Sequence, residues 1–151
     1  MVDVNSIIQA VFFSFMLMAA SVWDIRKKII PDSICILIAL TGLIEFSPVK
    51  FLGILAGLPL LFAALYKPGG LGGGDIKLTA AAGIVLGFWG CTAGLIIGLT
   101  ASLFFYLSVQ IIRWLRKLKL QEAAQTSLPM APFLSLGFLA VTILKIGGNV
   151  L

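Results

Sequence analysis

Histidine is absent from the 151 residues of this chain. Without an imidazole, the chain cannot build a Ser-His or Cys-His catalytic pair or the H-E-x-x-H motif of zinc peptidases. Cysteine occurs only twice, as Cys35 and Cys91, each in an apolar run and neither in a C-x-x-C pair. We therefore interpret both as buried, inert thiols, and we expect no metal site and no disulfide.

Charged residues are also scarce: they make up 11% of the chain, whereas apolar residues make up 60%. A soluble domain cannot hide that much apolar surface from water, so lipid has to serve as the solvent. The chain length suits one domain, and no polar stretch is long enough to form a second. We expect a single integral membrane domain that covers residues 1–151.

The uncharged segments predict an all-α fold, a bundle of six transmembrane helices. Residues 78–112 carry no charge, and as one helix they would be roughly 50 Å long at ~1.5 Å per residue. The hydrocarbon core is only ~30 Å thick, so this run is expected to turn back around residues 87–90. The other helices are predicted at residues 7–23, 34–44, 51–66 and 132–146, with Pro31 in the first turn of the second and a kink at Pro59 in the third.

Basic residues indicate how the bundle is oriented. If the loop after the first helix is cytoplasmic, nine of the eleven Lys and Arg residues fall on the cytoplasmic side, and Lys50 and Lys145 fall outside. Both termini are then outside. The nine are Arg26, Lys27, Lys28, Lys67, Lys77, Arg113, Arg116, Lys117 and Lys119, of which the last four form a basic amphipathic extension before a polar linker at residues 121–127.

The net charge and the charges near the N-terminus indicate which kinds of partner the chain has. We attribute the net charge of +5 to membrane orientation and lipid contact, and we expect no nucleic acid partner. The first five residues contain no Lys or Arg, so they lack the basic start of a secretory signal. The first apolar run is therefore expected to be retained as a membrane helix.

Acid-base chemistry has to draw mainly on six acidic residues. Asp24 ends the first apolar run, and Asp75 begins the fourth predicted helix after a glycine-rich loop. Two membrane crossings separate them, so both emerge on the same, cytoplasmic face. Two close carboxyl groups do not both ionise easily, so one tends to keep a proton; the ionised one can activate water and the protonated one can polarise a carbonyl. The other four acidic residues are Asp3, Asp32, Glu45 and Glu122.

Each of these features also has a simpler interpretation. Asp24 would serve as a helix-end residue paired with Arg26 or Lys28, and Asp75 as a charge at a helix N-terminus. Asp32 would cap a helix or balance charge. The glycine-rich loop would be a flexible connection; it lacks the G-K-[ST] of a phosphate-binding loop, and glycine there better suits close approach of a substrate backbone. The segment Leu-Pro-Met-Ala-Pro at residues 128–132 would be a helix-entry signal.

Three stretches, in order, resemble the motifs of the type IV prepilin peptidases, membrane aspartic proteases of the GxGD type. The first is Asp24 with the basic residues after it and Ile-Pro-Asp at residues 30–32. The second is Gly-Gly-Gly-Asp-Ile-Lys-Leu at residues 72–78, and the third is Pro-Met-Ala-Pro-Phe-Leu at residues 129–134 with Gly137. The resemblance covers essentially the whole chain.

This resemblance implies that Asp24 and Asp75 are the catalytic pair and that no metal or cofactor takes part. It implies cleavage of prepilin or pseudopilin leaders at the cytoplasmic face of the inner membrane, after a glycine that precedes an apolar helix, in service of a type IV pilus or a protein secretion system. Longer members carry an N-terminal region with paired C-x-x-C motifs, associated with methylation of the product; this chain resembles the short, peptidase-only members. The active-site loop and substrate-binding residues would be Gly72, Gly73, Gly74, Lys77, Asp32, Pro129 and Pro132.

Two other classes of function compete with this one. A small transporter or channel component would use membrane carboxylates to bind protons or cations, and it would hold them near the middle of the bilayer. A noncatalytic assembly subunit of a secretion system would need no carboxylate pair. The expected placement of Asp24 and Asp75 at one membrane face favours the peptidase.

Overall fold

The computed structural model describes residues 4–45, 47–66, 72–115 and 129–148, and all of its regular structure is helical. Within these residues there are five α-helices, one 3-10 helix and no strand, as the sequence predicted for the fold class. The loop around Lys67, the basic residues Arg116, Lys117 and Lys119, and the polar linker lie outside the described residues. The elements are α1 (Val4–Lys27), α2 (Asp32–Thr41), the 3-10 helix (Pro48–Gly57), α3 (Leu58–Tyr66), α4 (Gly73–Leu115) and α5 (Ala131–Ile146).

Helix α4 reverses direction at Gly87. This residue has φ 79° and ψ 176°, a conformation that glycine adopts without the steric cost other residues would incur. The thiol of Cys91 reaches the carbonyl oxygen of Thr79 at 3.4 Å, although twelve residues of straight helix would separate them by about 18 Å. The two halves of α4 therefore pack against each other, and the break predicted at residues 87–90 is confirmed.

The stretch predicted as the third helix, residues 51–66, is helical within Pro48–Tyr66, but it is not a single kinked α-helix. The chain instead forms the 3-10 helix first and changes to the α-helix α3 beside Pro59. Pro59 lies in the first turn of α3, where its missing N–H leaves no intrahelical hydrogen bond unmade. Gly53 in the 3-10 helix meets Gly83 in α4 so closely that a Cβ on either would collide with the backbone of the other. This contact holds an unusually long 3-10 segment in place.

Two helix ends near Asp24 differ from their predicted positions. Helix α1 continues to Lys27, so Asp24 lies in its last turn rather than after its end. The helix then stops at Lys28, whose φ is 55°. Pro31 is extended, with ψ 138°, and directly precedes α2 instead of lying in its first turn, because the helix begins at Asp32. Helix α4 begins at Gly73 and holds Asp75 in its first turn, as expected.

The core is small and the outer surface is strongly apolar. Phe13, Leu17, Leu78 and Phe138 are completely buried between α1, α4 and α5. Large apolar side chains such as Phe104 cover the outside of the described residues. Three stretches are long and apolar enough to cross a bilayer, Val4–Lys27, Pro48–Tyr66 and Gly73–Ile112, whereas Asp32–Thr41 and Ala131–Ile146 are shorter apolar helices. The chain is therefore a membrane protein.

The packing of neighbouring helices gives the bundle two distinct ends. The second half of α4 runs antiparallel to α5, because Gly90 lies against Val141 and Gly98 lies against Leu134. One end, which we call the carboxylate end, contains Asp24, the start of α4 and the start of α5. The opposite end, which we call the far end, contains Glu45, Lys50, Gly87 and Lys145 and encloses a cavity of about 260 Å³.

Candidate active site

Asp24 is buried at the carboxylate end, with 7% of its surface exposed. The last turn of α1 carries it against the start of α5, where the backbone N–H of Ala131 donates to its Oδ2 atom at 3.1 Å. Ala131 itself is completely buried. Among the described residues Asp24 forms no ion pair, so the alternative of a pairing with Arg26 or Lys28 does not describe this structure. Both basic side chains are exposed.

Asp75 is buried to the same degree as Asp24, but its hydrogen bonding differs. Its Oδ1 atom is enclosed and has no hydrogen-bond partner in the part of the chain that the structure describes. An unpaired buried polar atom costs free energy, so such an atom in a folded protein calls for a functional or solvent-based explanation. The charge of Asp24 acts on Asp75, so the two carboxyl groups lie within electrostatic reach of each other. The structure thus brings together the two aspartates that the sequence singled out.

The glycines before Asp75 allow the chain to close tightly around it. The N–H of Asp75 donates to the carbonyl oxygen of Gly72, which forms the turn that enters α4. A Cβ on Gly72 would lie 3.3 Å from the Oδ2 atom of Asp75. A Cβ on Gly74 would lie 3.0 Å from the side chain of Ile30, which is buried over the start of α4. A Cβ on Gly73 would meet no atom within 4 Å among the described residues.

Asp32 and Lys77 lie on the rim of this site and pair with each other. Their ion pair spans 2.7 Å and links the first turn of α2 to α4. Both side chains are largely exposed, at 66% for Asp32 and 56% for Lys77. No side-chain hydrogen bond caps α2, so of the two simpler roles predicted for Asp32 the structure shows charge balance, through the ion pair with Lys77, and not helix capping. Neither residue is part of the buried pair.

Pro129 and Pro132 flank the residue that contacts Asp24. Pro129 precedes α5, Pro132 lies in its first turn, and both are half-buried. Sequence reasoning selected these prolines and missed Ala131, because its contribution is a backbone N–H that any residue except proline would supply. It also missed Ile30 as the cover of the glycine turn; a large apolar residue between a basic run and Pro31 was the available signal.

The described residues contain no group of three or more His, Cys, Asp or Glu side chains arranged to hold a metal ion. Cys35 and Cys91 are both free and buried, as the sequence predicted. The carboxylate end holds two buried carboxyl groups beside a glycine turn. Such a pair can exchange protons with a water molecule and with a bound carbonyl compound.

One comparison with known proteins gives a match. The model of the type IV leader peptidase family matches residues 11–111 of this chain. The matched range contains Asp24, Asp32, Asp75 and Lys77, and it ends before the segment with Pro129 and Pro132. No curated protein and no solved structure matches the chain significantly.

Proposed function

The chain belongs to the type IV leader peptidase family, and we propose that it is an aspartic endopeptidase that removes the leader peptide of type IV prepilin or pseudopilin precursors. In this proposal Asp24 and Asp75 form the catalytic pair. The observation that carries it is the burial of both carboxyl groups at one end of the bundle, where Oδ1 of Asp75 has no hydrogen-bond partner within the described part of the chain.

The proposed reaction uses one proton shared by the pair. The ionised carboxylate removes a proton from water, and the resulting nucleophile attacks the scissile carbonyl carbon. The protonated carboxyl group hydrogen-bonds to the carbonyl oxygen, which becomes negatively charged as the tetrahedral intermediate forms. When the C–N bond breaks, a proton passes from the pair to the leaving amine. The products are the leader carboxylate and the free amine of the mature protein, and the pair is ready for another water molecule.

The remaining site residues would bind and admit the substrate. Gly72, Gly73 and Gly74 allow a substrate backbone to approach Asp75, and Gly73, where a Cβ would meet no atom of the described residues within 4 Å, suits this role best. Lys77 and Asp32 on the rim would contact polar groups of the leader. Pro129 and Pro132 would hold the start of α5 beside Asp24.

We also propose that the chain crosses the inner membrane six times, with the carboxylate end in the cytoplasm and both termini outside. The reversal at Gly87 supports this topology, because it divides α4 into two antiparallel spans. Arg26, Lys27, Lys28 and Lys77 lie at the carboxylate end, as the positive-inside rule requires. Helices α2 and α5 are shorter than the ~20 residues that a typical span contains, so local thinning of the bilayer would accompany them.

A cleavage assay tests the proposed activity. Purified protein in detergent or liposomes is incubated with a prepilin whose leader ends in glycine before an apolar helix, and mass spectrometry locates the cut. We expect cleavage after that glycine, at the same rate with and without EDTA. A folded protein that leaves several such precursors intact would contradict the proposal and favour the transporter or assembly-subunit interpretation. Loss of cleavage in EDTA with recovery on adding a divalent ion would contradict the aspartic mechanism.

A further inference from the structure

The backbone N–H groups in the first turn of α5 have hydrogen-bond partners, and one of these partners is the carboxylate of Asp24. A helix leaves its first N–H groups without intrahelical partners. In α5 the N–H groups of Phe133 and Leu134 both donate to the carbonyl oxygen of Met130, at 3.1 Å. Pro132 has no N–H. Ala131 is therefore the first-turn donor that remains, and it donates to the carboxylate of Asp24.

One turn deeper in the bundle, the same two helices are joined by a pair of serines. Ser21 lies three residues before Asp24 on α1, and Ser135 lies four residues after Ala131 on α5, so both hydroxyl groups share a helix face with the first contact. Their Oγ atoms are 2.6 Å apart, a hydrogen bond in which either hydroxyl can donate. Each hydroxyl also lies 2.9 Å from a carbonyl oxygen of its own helix, that of Leu17 for Ser21 and that of Pro132 for Ser135. Because a hydroxyl has one proton, one serine donates to the other, and that other serine donates to its own helix. Ser135 is 5% exposed and Ser21 is half-buried.

The two contacts have different consequences for the site. The contact of Asp24 with Ala131 fixes only one carboxylate oxygen, and it depends on where α5 starts relative to the last turn of α1. The Ser21–Ser135 bond is a directional contact between the same two helices one turn away, so it restrains the register of α1 against α5.

We infer that the Ser21–Ser135 hydrogen bond is a positioning device, which sets this register so that the N–H of Ala131 holds the Asp24 carboxylate in its catalytic orientation. The inference rests on the proposed function of Asp24, and it assigns a role to two serines that touch neither substrate nor reacting atoms. A misplaced catalytic group slows the chemical step more than it weakens substrate binding.

The kinetic test compares three alanine variants in the prepilin cleavage assay. Ser21→Ala and Ser135→Ala should each lower kcat at least about tenfold while leaving KM within about twofold, and the double variant should be no slower than the single ones. Ser14→Ala is the matched control: Ser14 is half-buried on α1 like Ser21 and donates to the carbonyl oxygen of Ala10 at 2.7 Å, but its hydroxyl makes no hydrogen bond to another helix among the described residues. It should cleave at the wild-type rate.

A second measurement detects a change in the register of α1 against α5 without relying on catalysis. In protein labelled with 15N-alanine, the Ala131 amide is identified by its loss in Ala131→Gly, and its hydrogen exchange is followed by NMR. We expect exchange to speed up in Ser21→Ala and Ser135→Ala and to stay unchanged in Ser14→Ala. If both serine variants retain wild-type kcat and wild-type exchange at Ala131, the positioning role is wrong. If exchange changes as expected but Asp24→Asn still cleaves, the positioning role stands and the proposed catalytic pair fails.

Discussion

Asp24 and Asp75 differ from the other acidic residues of the described chain in both burial and pairing. Asp32 is exposed and paired with Lys77, and Glu45 is half-buried and bonded to Lys50 and Ser6. Those two carboxylates have partners that account for their charge. Asp24 has only a backbone N–H, and the enclosed Oδ1 of Asp75 has no partner among the described residues. Neither of these two carboxyl groups has an ionic partner among the described residues, which is why we propose them as the catalytic pair.

The rim pair leads to a prediction of a small effect. Asp32→Asn should lower the cleavage rate by less than about tenfold, because an exposed ion pair contributes little and the buried aspartates are untouched. Lys77→Gln should have a similar effect, and the double variant should be no worse than either. Steady-state kinetics on the folded variants checks this. Complete loss of activity in correctly folded Asp32→Asn would show that Asp32 belongs to the catalytic machinery.

The far end leads to a prediction about pH. Hydrogen bonds from Lys50 and then from Ser6 lower the pKa of Glu45 below its ordinary value of 4.5. A group whose pKa is lowered by folding stabilises the fold fully above its ordinary pKa, and this stability is lost as the pH falls through the lower, folded-state value. The thermal stability of the wild type should therefore fall more between pH 7 and pH 3 than that of Glu45→Gln.

Lys50→Gln serves as the companion variant, because Lys50 is the largest cause of the shift. It should flatten the same part of the pH profile when unfolding is followed by circular dichroism in detergent. An unchanged pH dependence in both variants would show that Glu45 is not stabilised by these contacts.

At the scale of helices, glycine determines which segments can meet. Gly53 and Gly83 bring the 3-10 helix and the first half of α4 into backbone contact. Gly94, Gly98 and Gly137 do the same for the second half of α4 and α5. Without a hydrophobic driving force in lipid, such close van der Waals contact is the principal source of helix association. The glycines thus position the two halves of α4 and, with them, Asp75.

The contact between Gly53 and Gly83 provides a stability test. A Cβ at residue 53 would overlap the backbone of Gly83, so Gly53→Ala should destabilise the protein by about 1–3 kcal/mol or more. Gly73→Ala is the control, since a Cβ there would meet none of the described residues within 4 Å. Thermal unfolding in detergent should separate the two variants clearly. Equal stability of both would mean that the two helices are not packed as described.

At the scale of the whole molecule, the sequence was informative where a physical rule is strong. The absence of charge from residues 78–112 and the fixed thickness of a bilayer predicted the reversal that Gly87 makes. The spacing of Asp24 and Asp75 across two crossings predicted a common end, and the structure places both there. In these two cases the types of the residues and their spacing were sufficient to predict the feature.

The sequence failed where the outcome depends on backbone packing. The sequence did not distinguish a 3-10 helix from an α-helix at residues 48–57, a segment that packs at Gly53 against the backbone of Gly83 in a distant part of the chain. The N–H of Ala131 has no residue signature, and the meeting of Ser21 with Ser135 depends on the register of two helices separated by most of the chain. Such features become visible only when the helices are placed in three dimensions.

The proposed topology is tested by labelling single cysteines with a membrane-impermeant maleimide. In intact cells Val49→Cys, at the far end and 70% exposed, should react, whereas the exposed Arg26→Cys should react only in inverted vesicles. The native thiols of Cys35 and Cys91 are buried and should not react with the maleimide in either sample. Reaction of Arg26→Cys in intact cells would show that the chain has the opposite orientation in the membrane.

The central claim, that Asp24 and Asp75 act as one catalytic unit, is tested most directly by asparagine substitution. Leader removal from a prepilin is measured for Asp24→Asn, Asp75→Asn and the double variant, with membrane insertion and folding checked separately. Each single variant should lose at least about 10²–10⁴-fold in rate, since the amide cannot accept or release the proton. The double variant should be hardly slower than either one. Cleavage near the wild-type rate by either folded single variant would contradict the two-aspartate mechanism.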